Sequence, residues 1–217
     1  MRLGLIRHGE SEGNVAVTLQ GCRIDARLSP RGRKQAEALA VRLADQPVDC
    51  VVSSPMVRAR ETAGIVEAPH GVGVAVDVEL VEFDWGVWTG RPLDEDLERQ
   101  VGEIRARWRS GDVDVRTPGG ESPVLAAERA RRVLARIAAR KAAAPIVVAH
   151  GRFNRILMTV LLGRDLSRMD EIRQRNGSLS LFEWNGSAPA TPLLLDDVGH
   201  IAADDVTDSV LDPGPVR

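Results

Sequence analysis

Three short apolar runs, each followed by a segment with helical periodicity, limit what this chain can fold into. Residues 2–6, 48–53 and 145–149 are typical of buried strands, and residues 72–78 form a weaker candidate. Strands that alternate with helices in this way predict an α/β fold, specifically a three-layer α/β/α sandwich with a mostly parallel central sheet.

Helix positions follow from apolar spacing and from helix-start signals. Residues 36–43 and 126–137 carry apolar side chains three and four positions apart, as on the buried face of a helix. Serine followed by proline at Ser29, Ser54 and Ser122 predicts three helix starts, because serine caps free amide groups and proline has a preset φ angle.

The C-terminal part of the chain has a different pattern. Residues 178–184 and 190–195 flank Asn185-Gly186, which predicts a β-hairpin with a loop longer than two residues. From about Asp204 the chain is acidic and contains proline and glycine. We therefore expect one domain over residues 1–203 and a flexible tail over 204–217.

Composition excludes several classes of protein. The 217 residues carry a formal net charge of −2, without the basic excess of a nucleic-acid-binding surface. No apolar run approaches the roughly 20 residues of a membrane span, and the first residues lack the apolar region of a signal peptide. We expect a cytoplasmic protein without nucleic-acid or membrane partners. Cys22 and Cys50 fit neither a disulfide framework nor a zinc-ligand spacing.

Polar residues follow the predicted strands at the edge where ligands bind in parallel sheets. Arg7 and His8 follow the first strand, Ser54 follows the second and His150 the third, and each histidine precedes a glycine. Such a histidine serves as nucleophile, general base or metal ligand, although a lone one is more often structural. A metal site needs a third ligand at suitable spacing, and none is apparent.

Arg58 has two interpretations. It lies near the predicted N-terminus of the helix after the second strand, where a guanidinium and the helix dipole together favour phosphate. It is equally a candidate for a surface ion pair with Glu61, three positions along the same helix.

The whole chain resembles the histidine phosphatase superfamily, the group that includes the cofactor-dependent phosphoglycerate mutases. The motifs occur in family order over roughly residues 2–200, and the ordered set is far more specific than any one of them. They are Arg7-His8-Gly9-Glu10-Ser11-Glu12-Gly13-Asn14; Gln20-Gly21 with Asp25, Leu28, Gly32 and Gln35-Ala36; Ser54-Pro55 with Arg58-Ala59 and Thr62-Ala63; Glu82, Gly86, Trp88 and Gly90; Gly120-Glu121-Ser122; and His150-Gly151.

This resemblance implies a catalytic scheme without a metal or other cofactor. His8 would attack phosphorus and become phosphohistidine, while Glu82 would protonate the leaving oxygen and then activate water. The groups that would hold the phosphoryl oxygens are Arg7, Arg58 and His150, with Asn14 in the same anion-binding loop. His8 must be neutral to attack, so its other ring nitrogen needs an acceptor such as a backbone carbonyl. Glu82 must be protonated at the working pH.

The surroundings of Glu82 favour one branch of the family. Mutases carry a Glu-Arg-His-Tyr-Gly-type motif and a longer insertion over the site, whereas this chain is shorter, has Glu82-Phe83-Asp84-Trp85-Gly86 and contains no tyrosine. The aromatic residues after Glu82 either desolvate it or simply pack. We therefore expect a metal-independent phosphomonoesterase that acts on a small phosphorylated metabolite. A phosphoglycerate mutase-type transferase and a non-catalytic phosphate-binding module are the alternatives.

Specificity is expected to come from residues beside the phosphate pocket. Arg23 and Arg152 would suit a second anionic group on the substrate, although each could equally be a solvated surface arginine. The other candidates for contact with phosphate or substrate are Gln20, Gly21, Cys22 and Gly151, and we assign no chemistry to the cysteine. A homodimer is expected only by analogy with the family.

Overall fold

The computed structural model describes residues 1–187 and 189–208, and these form one six-stranded sheet in the order β3-β2-β4-β1-β5-β6. The strands are β1 (Arg2–Arg7), β2 (Cys50–Ser53), β3 (Val74–Val76), β4 (Pro145–Ala149), β5 (Leu179–Glu183) and β6 (Thr191–Asp197). Strands β1 to β4 pair in parallel, and β5 runs antiparallel to both β1 and β6. The predicted mostly parallel sheet is confirmed.

Helices cover both faces of this sheet. They are α1 (Glu12–Val15), α2 (Pro30–Leu43), α3 (Val57–Glu67), α4 (Glu95–Arg109), α5 (Pro123–Ala139) and α6 (Gly151–Leu161). On one face, α2 packs Leu39 into the same cluster as Ile6 of β1. On the other face, α6 packs Leu157 into the cluster that contains Leu5. Successive side chains of β1 thus enter opposite layers, which confirms the predicted three-layer sandwich.

A third apolar cluster lies against α4, beside the main sheet. Phe83, Trp85 and Trp88 are buried and pack with Trp108 of that helix. The Phe83 and Trp85 rings meet edge to face with centroids 5.0 Å apart. These aromatic residues therefore form a core that supports the segment around Glu82. No helix of the described ranges has the length and apolar character needed to cross a membrane.

Two of the three predicted helix starts are confirmed. The Ser29 hydroxyl accepts a hydrogen bond from the Gly32 amide at 3.0 Å, and Ser122 caps α5 in the same way. The prediction for Ser54-Pro55 was wrong, because α3 is capped at Met56 and begins at Val57. The Ser54 hydroxyl lies 2.7 Å from His150 Nε2 instead, so it joins two strand ends rather than capping a helix.

The predicted hairpin is formed by β5 and β6. After it, the chain returns to the domain: the Asn176 amide donates to the Thr207 carbonyl at 3.2 Å, and Gln35 Nε2 donates to the Asp205 carbonyl at 2.7 Å. Residues 204–208, which the sequence assigned to a flexible tail, are thus hydrogen-bonded to the domain. Residues 209–217 lie outside the described residues.

The N-terminal turn of α2 packs directly on the loop that follows β1. A Cβ atom at Gly32 would lie 1.9 Å from the Glu10 carbonyl oxygen, and one at Gly9 would lie 2.3 Å from the Gly32 carbonyl oxygen. Backbone atoms make both contacts, so no side chain can rotate away to relieve them. The two glycines are therefore needed for this close approach.

Gly32→Ala is expected to destabilise the protein, by about 1–3 kcal/mol or more as in an overpacked core. Gly64→Ala in α3 is the matched control, because its Cβ would meet nothing within 4 Å. Alanine there should stabilise the helix by about 0.5–1 kcal/mol. Thermal or urea denaturation of both variants measures the difference. A Gly32→Ala protein as stable as the wild type would contradict the described approach.

Candidate active site

A cavity of about 70 Å³ lies beyond the carboxyl ends of the parallel strands, which is room for a few water molecules or one small anion. Nine residues singled out in the sequence line it: Arg7, His8, Asn14, Gln20, Gly21, Arg58, Glu82, Gly151 and Arg152. Trp85, Thr18 and Leu19 complete the wall. The predicted edge of the sheet is therefore where these side chains meet.

His8 is buried and held in one tautomer. Its Nδ1 lies 2.6 Å from the Gly9 carbonyl oxygen, which can only accept, so Nδ1 carries the proton. Its Nε2 lies 3.1 Å from Arg58 Nε, which can only donate, so Nε2 presents its lone pair. Burial, reinforced by the charges of Arg58 and Arg7, lowers the pKa of His8 well below its ordinary value. The imidazole is thus neutral at pH 7.

Two guanidinium groups flank His8. Arg58 Nη1 donates to the Ile24 carbonyl at 2.9 Å and Nη2 to the Gly21 carbonyl at 3.2 Å, while Arg7 Nη1 donates to the Gln174 carbonyl. Burial lowers the pKa of Arg58 to about 10, which still leaves it charged at neutral pH.

Neither guanidinium is neutralised by an ion pair. Among residues 1–187 and 189–208, no carboxylate oxygen lies within 4.0 Å of a side-chain nitrogen of Arg7 or Arg58. The buried Arg7 Nε also has no hydrogen-bond partner in those ranges. Positive charge is therefore concentrated at this end of the cavity, as an anionic ligand requires.

His150 is buried and is not among the residues of the cavity wall. It follows β4, is the N-cap residue of α6, and has its ring centroid 5.2 Å from that of His8. Burial, with the charges of Arg58 and nearby groups, lowers the pKa of His150 well below its ordinary value. Its Nε2 bonds with Ser54, whereas Nδ1 is buried without a partner among the described residues.

Glu82 occupies the N-terminus of α6. Its Oε1 accepts hydrogen bonds from the amides of Phe83 at 2.8 Å and Phe153 at 2.9 Å, and Oε2 accepts from the Arg152 amide at 3.3 Å. The amides of a first helical turn have no partner inside the helix. Glu82 thus satisfies two of them, and this fixes the position of its carboxyl group in the cavity wall.

The loop over residues 11–21 supplies amide groups to the cavity. Asn14 Oδ1 accepts from the Ser11 amide at 3.0 Å and from Asn176 Nδ2 at 3.4 Å, and Gln20 Oε1 accepts from the Ser11 hydroxyl at 3.1 Å. Because both carbonyl oxygens are engaged as acceptors, the amide nitrogens are the atoms suited to meet an anion.

The structure separates the proposed specificity residues. Arg152 lines the cavity, whereas Arg23 is exposed and forms an ion pair with Asp84 at 2.9 Å, outside the wall. Cys22 also lies outside the wall, and burial together with nearby carboxylates raises the pKa of its thiol to about 11. The placement of Cys22 and Arg23 therefore does not support their assignment to the substrate site.

Several supporting residues escaped the sequence reasoning. Asn176 Nδ2 and the Gly177 amide donate to the His8 carbonyl at 3.3 and 3.2 Å, and the Gln174 carbonyl receives Arg7. These residues precede β5, whose antiparallel direction brings its start to the carboxyl end of β1. The sequence prediction covered only the carboxyl ends of parallel strands and therefore missed this contribution. Asp170, which pairs with Arg152, carried no recognisable signal.

No group of three or more His, Cys, Asp or Glu side chains in the described part of the chain is arranged to hold a metal ion.

The comparisons with known proteins agree on one family. A family model described as the histidine phosphatase superfamily (branch 1) matches residues 3–197. Phosphoserine phosphatase 1 from Hydrogenobacter thermophilus is 33% identical over 183 residues, which cover 84% of this chain and 86% of the relative. A probable phosphoglycerate mutase from Erwinia tasmaniensis is 32% identical over 188 residues, or 86% of each protein.

Solved structures extend the similarity to the fold. The alpha-ribazole phosphatase from Shigella flexneri superposes with a TM-score of 0.77 at 29% identity, over 91% of this chain and 97% of that one. A mycobacterial glucosyl-3-phosphoglycerate phosphatase, solved in complex with VO3, gives a TM-score of 0.80 at 29% identity, over 90% and 98% of the two chains. Proteins with phosphatase names thus share nearly the whole fold.

The neutral state of His8 and His150 predicts a loss of stability in mild acid. In the unfolded chain both histidines take up protons near pH 6.5, whereas their lowered pKa values keep them neutral in the folded protein. The unfolded state then binds more protons, so stability falls as the pH drops below about 6.5. We expect the melting temperature to decrease between pH 7.5 and 5, and His8→Asn to reduce that decrease.

The range from pH 7.5 to 5 lies above the pH values at which carboxylates take up protons. Asp170 is an example, because the neighbouring arginines hold its pKa well below its usual range despite its burial. If the melting temperatures of the wild type and of His8→Asn decreased equally between pH 7.5 and 5, the result would contradict a neutral, buried His8.

Proposed function

This chain belongs to the histidine phosphatase superfamily, branch 1, and on that basis we propose that it hydrolyses a small phosphorylated metabolite through a phosphohistidine formed on His8. Its enzyme class is that of the histidine phosphatases, as the similarity to proteins with phosphatase names indicates.

One observation carries the proposal: the Nε2 lone pair of a neutral imidazole accepts a hydrogen bond from Arg58 and lies in one cavity with Arg7, and neither guanidinium has a carboxylate partner in the described ranges. Phosphoryl transfer requires positioning and charge compensation more than any other assistance. Arg7 and Arg58 supply positive charge around three equatorial phosphoryl oxygens. His8 Nε2 supplies the nucleophile that divides the displacement into two steps.

In the first step, Arg58 Nε passes its hydrogen bond from His8 Nε2 to a phosphoryl oxygen. The freed Nε2 lone pair forms a bond to phosphorus while the bond from phosphorus to the ester oxygen breaks. The leaving oxygen takes its proton from the carboxyl group of Glu82. The proton on Nδ1 stays on its hydrogen bond to the Gly9 carbonyl, which stabilises the positive charge that develops on the ring. Replacing Glu82 therefore affects substrates in proportion to the leaving group's need for a proton.

In the second step, water attacks the phosphorus of phosphohistidine and the bond from phosphorus to Nε2 breaks. The proton of the attacking water goes to the Glu82 carboxylate, which restores its starting form. His8 regains its lone pair, and inorganic phosphate leaves with its charge still balanced by Arg7 and Arg58. The proposed role of His150 is to help hold the phosphoryl oxygens through its buried Nδ1, which has no partner among the described residues.

A mutase-type phosphoryl transfer is the second candidate, because a probable phosphoglycerate mutase matches this chain about as closely as a phosphoserine phosphatase does. The two reactions share the phosphohistidine and differ in whether water or a second substrate hydroxyl accepts the phosphoryl group. The segment Glu82-Phe83-Asp84-Trp85-Gly86 departs from the mutase motif, and this favours hydrolysis.

We expect the purified protein to release inorganic phosphate from at least one compound in a broad panel of phosphorylated metabolites, with EDTA present. His8→Ala should reduce this rate to background, and a melting curve checks that this variant, which loses a buried side chain, remains folded. His70→Ala is the matched control, since that histidine lies outside the cavity wall and should leave the rate unchanged. Acid-labile labelling of the wild type, absent in His8→Ala, would identify the intermediate.

The same panel separates the alternatives. Rapid phosphoglycerate isomerisation with little hydrolysis would establish the mutase. Phosphate or vanadate binding without turnover or labelling would establish a binding module. Complete loss of activity on chelation would contradict charge compensation by arginine alone.

A further inference from the structure

We propose that Asp170 is a positioning residue for the reaction, and that it acts through Arg152 and the first turn of α6 on the carboxyl group of Glu82. This inference rests on the proposed function, because it assumes that Glu82 protonates the leaving oxygen. Asp170 lies in the short 3-10 helix Leu166–Glu171, outside the cavity wall, and was not anticipated from the sequence.

Asp170 is the centre of a buried charge cluster. Its side chain is 9% exposed, and it receives Arg152 from α6 in an ion pair whose arginine side chain is only 3% exposed. Arg105 and Arg109 approach from the last turns of α4 with nitrogen–oxygen distances of 3.0 and 3.5 Å. Arg155 approaches from α6, with Nη1 3.8 Å from Oδ1. One carboxylate therefore ties α4 to the N-terminal half of α6.

The chemistry of this cluster keeps Asp170 ionised. Burial alone would raise its pKa, but the charges of Arg152 and Arg105 outweigh that and hold the pKa well below its usual range. Removing one partner of a buried ion pair leaves the other charge uncompensated. Here several guanidinium groups would be left facing one another, so the segments that carry them would move apart.

Arg152 connects this cluster to the reacting groups. Its backbone amide donates to Glu82 Oε2 at 3.3 Å, and the next amide, of Phe153, donates to Oε1 at 2.9 Å. Its guanidinium carbon lies 5.6 Å from the ring centroid of Trp85, three residues after Glu82. Asp170 and Trp85 thus contact the Arg152 side chain from two sides, and the backbone amide of Arg152 holds Glu82.

This arrangement gives Arg152 a role different from direct contact with substrate. The sequence suggested that its guanidinium binds a second anionic group, but the ion pair with Asp170 engages that guanidinium within the protein. A substrate ligand affects KM, and does so according to the charge of the substrate. A positioning residue for the general acid affects the chemical step according to the basicity of the leaving group.

The experiment compares Asp170→Asn and Arg152→Met with Arg109→Met. Arg109 also contacts Asp170, but it lies on α4, is 51% exposed and has no bond to Glu82. Two substrates are used: p-nitrophenyl phosphate, whose leaving group departs without a proton, and an alkyl phosphate that the wild type hydrolyses. Rapid quenching measures formation and decay of phosphohistidine separately.

We expect Asp170→Asn and Arg152→Met to slow phosphorylation of His8 by the alkyl phosphate about 100-fold, as for an acid group displaced by about 1 Å. Phosphorylation by p-nitrophenyl phosphate should change little. Hydrolysis of the phosphohistidine should slow, because the same carboxylate activates water, so the intermediate should accumulate with p-nitrophenyl phosphate. The dissociation constant of the substrate, measured from the concentration dependence of the phosphorylation step, should change little, and Arg109→Met should behave as the wild type.

Equal slowing of the phosphorylation step with both substrates would overturn the proposal, because it would indicate a merely structural role. A KM increase confined to substrates with a second anionic group would also overturn it, in favour of direct binding by Arg152. Melting curves check folding, and Arg152→Met carries the test if Asp170→Asn is unstable. Absence of phosphohistidine in the wild type would instead refute the proposed function, which keeps the two failures distinct.

Discussion

The hydrogen-bond chain from Arg58 through His8 to the Gly9 carbonyl is the interaction on which the site depends. A guanidinium can only donate and a carbonyl can only accept, so these two neighbours determine which ring nitrogen is protonated. The same burial that suppresses protonation of His8 also strengthens the field of Arg7 and Arg58. The neutral imidazole and the positive potential around it thus arise from a single arrangement, and neither needs a carboxylate beside the ring.

The loop that carries His8 and Gly9 is held by contacts from several neighbouring elements. His8 receives hydrogen bonds at its carbonyl from the segment before β5, and its own amide donates to the Ala149 carbonyl at 3.1 Å. The Gly9 amide donates to the Thr62 hydroxyl of α3 at 3.1 Å, and the Gly32 backbone packs against the next residue. Two helices and three strands therefore meet at one loop, which leaves the imidazole little freedom to move.

Much of this site was predictable because it follows from the geometry of parallel sheets. Arg7 and His8 were found from their position after a strand, and the alternation of strands and helices predicted the layers. The Ser54-Pro55 helix start failed because a serine hydroxyl near a buried histidine finds a partner there, and a dipeptide signal contains no such tertiary information. Cys22 and Arg23 were assigned by closeness in sequence, whereas the cavity wall includes Gly21 but neither of the two residues after it. Asp170 depends on contacts between distant helices, and no local pattern encodes those.

The hydrogen bonds between the ends of the chain have a consequence for biosynthesis. The His8 carbonyl is held by Asn176 and Gly177, and Asn176 in turn is held by Thr207, almost 200 residues after His8. On the ribosome, the first strand and its histidine emerge long before the segments that complete their environment. The nascent chain must therefore keep its N-terminal strand unpaired with β5 until residues 179–183 have been synthesised. His8 accordingly acquires its complete hydrogen-bonded environment only after Thr207 has joined the chain.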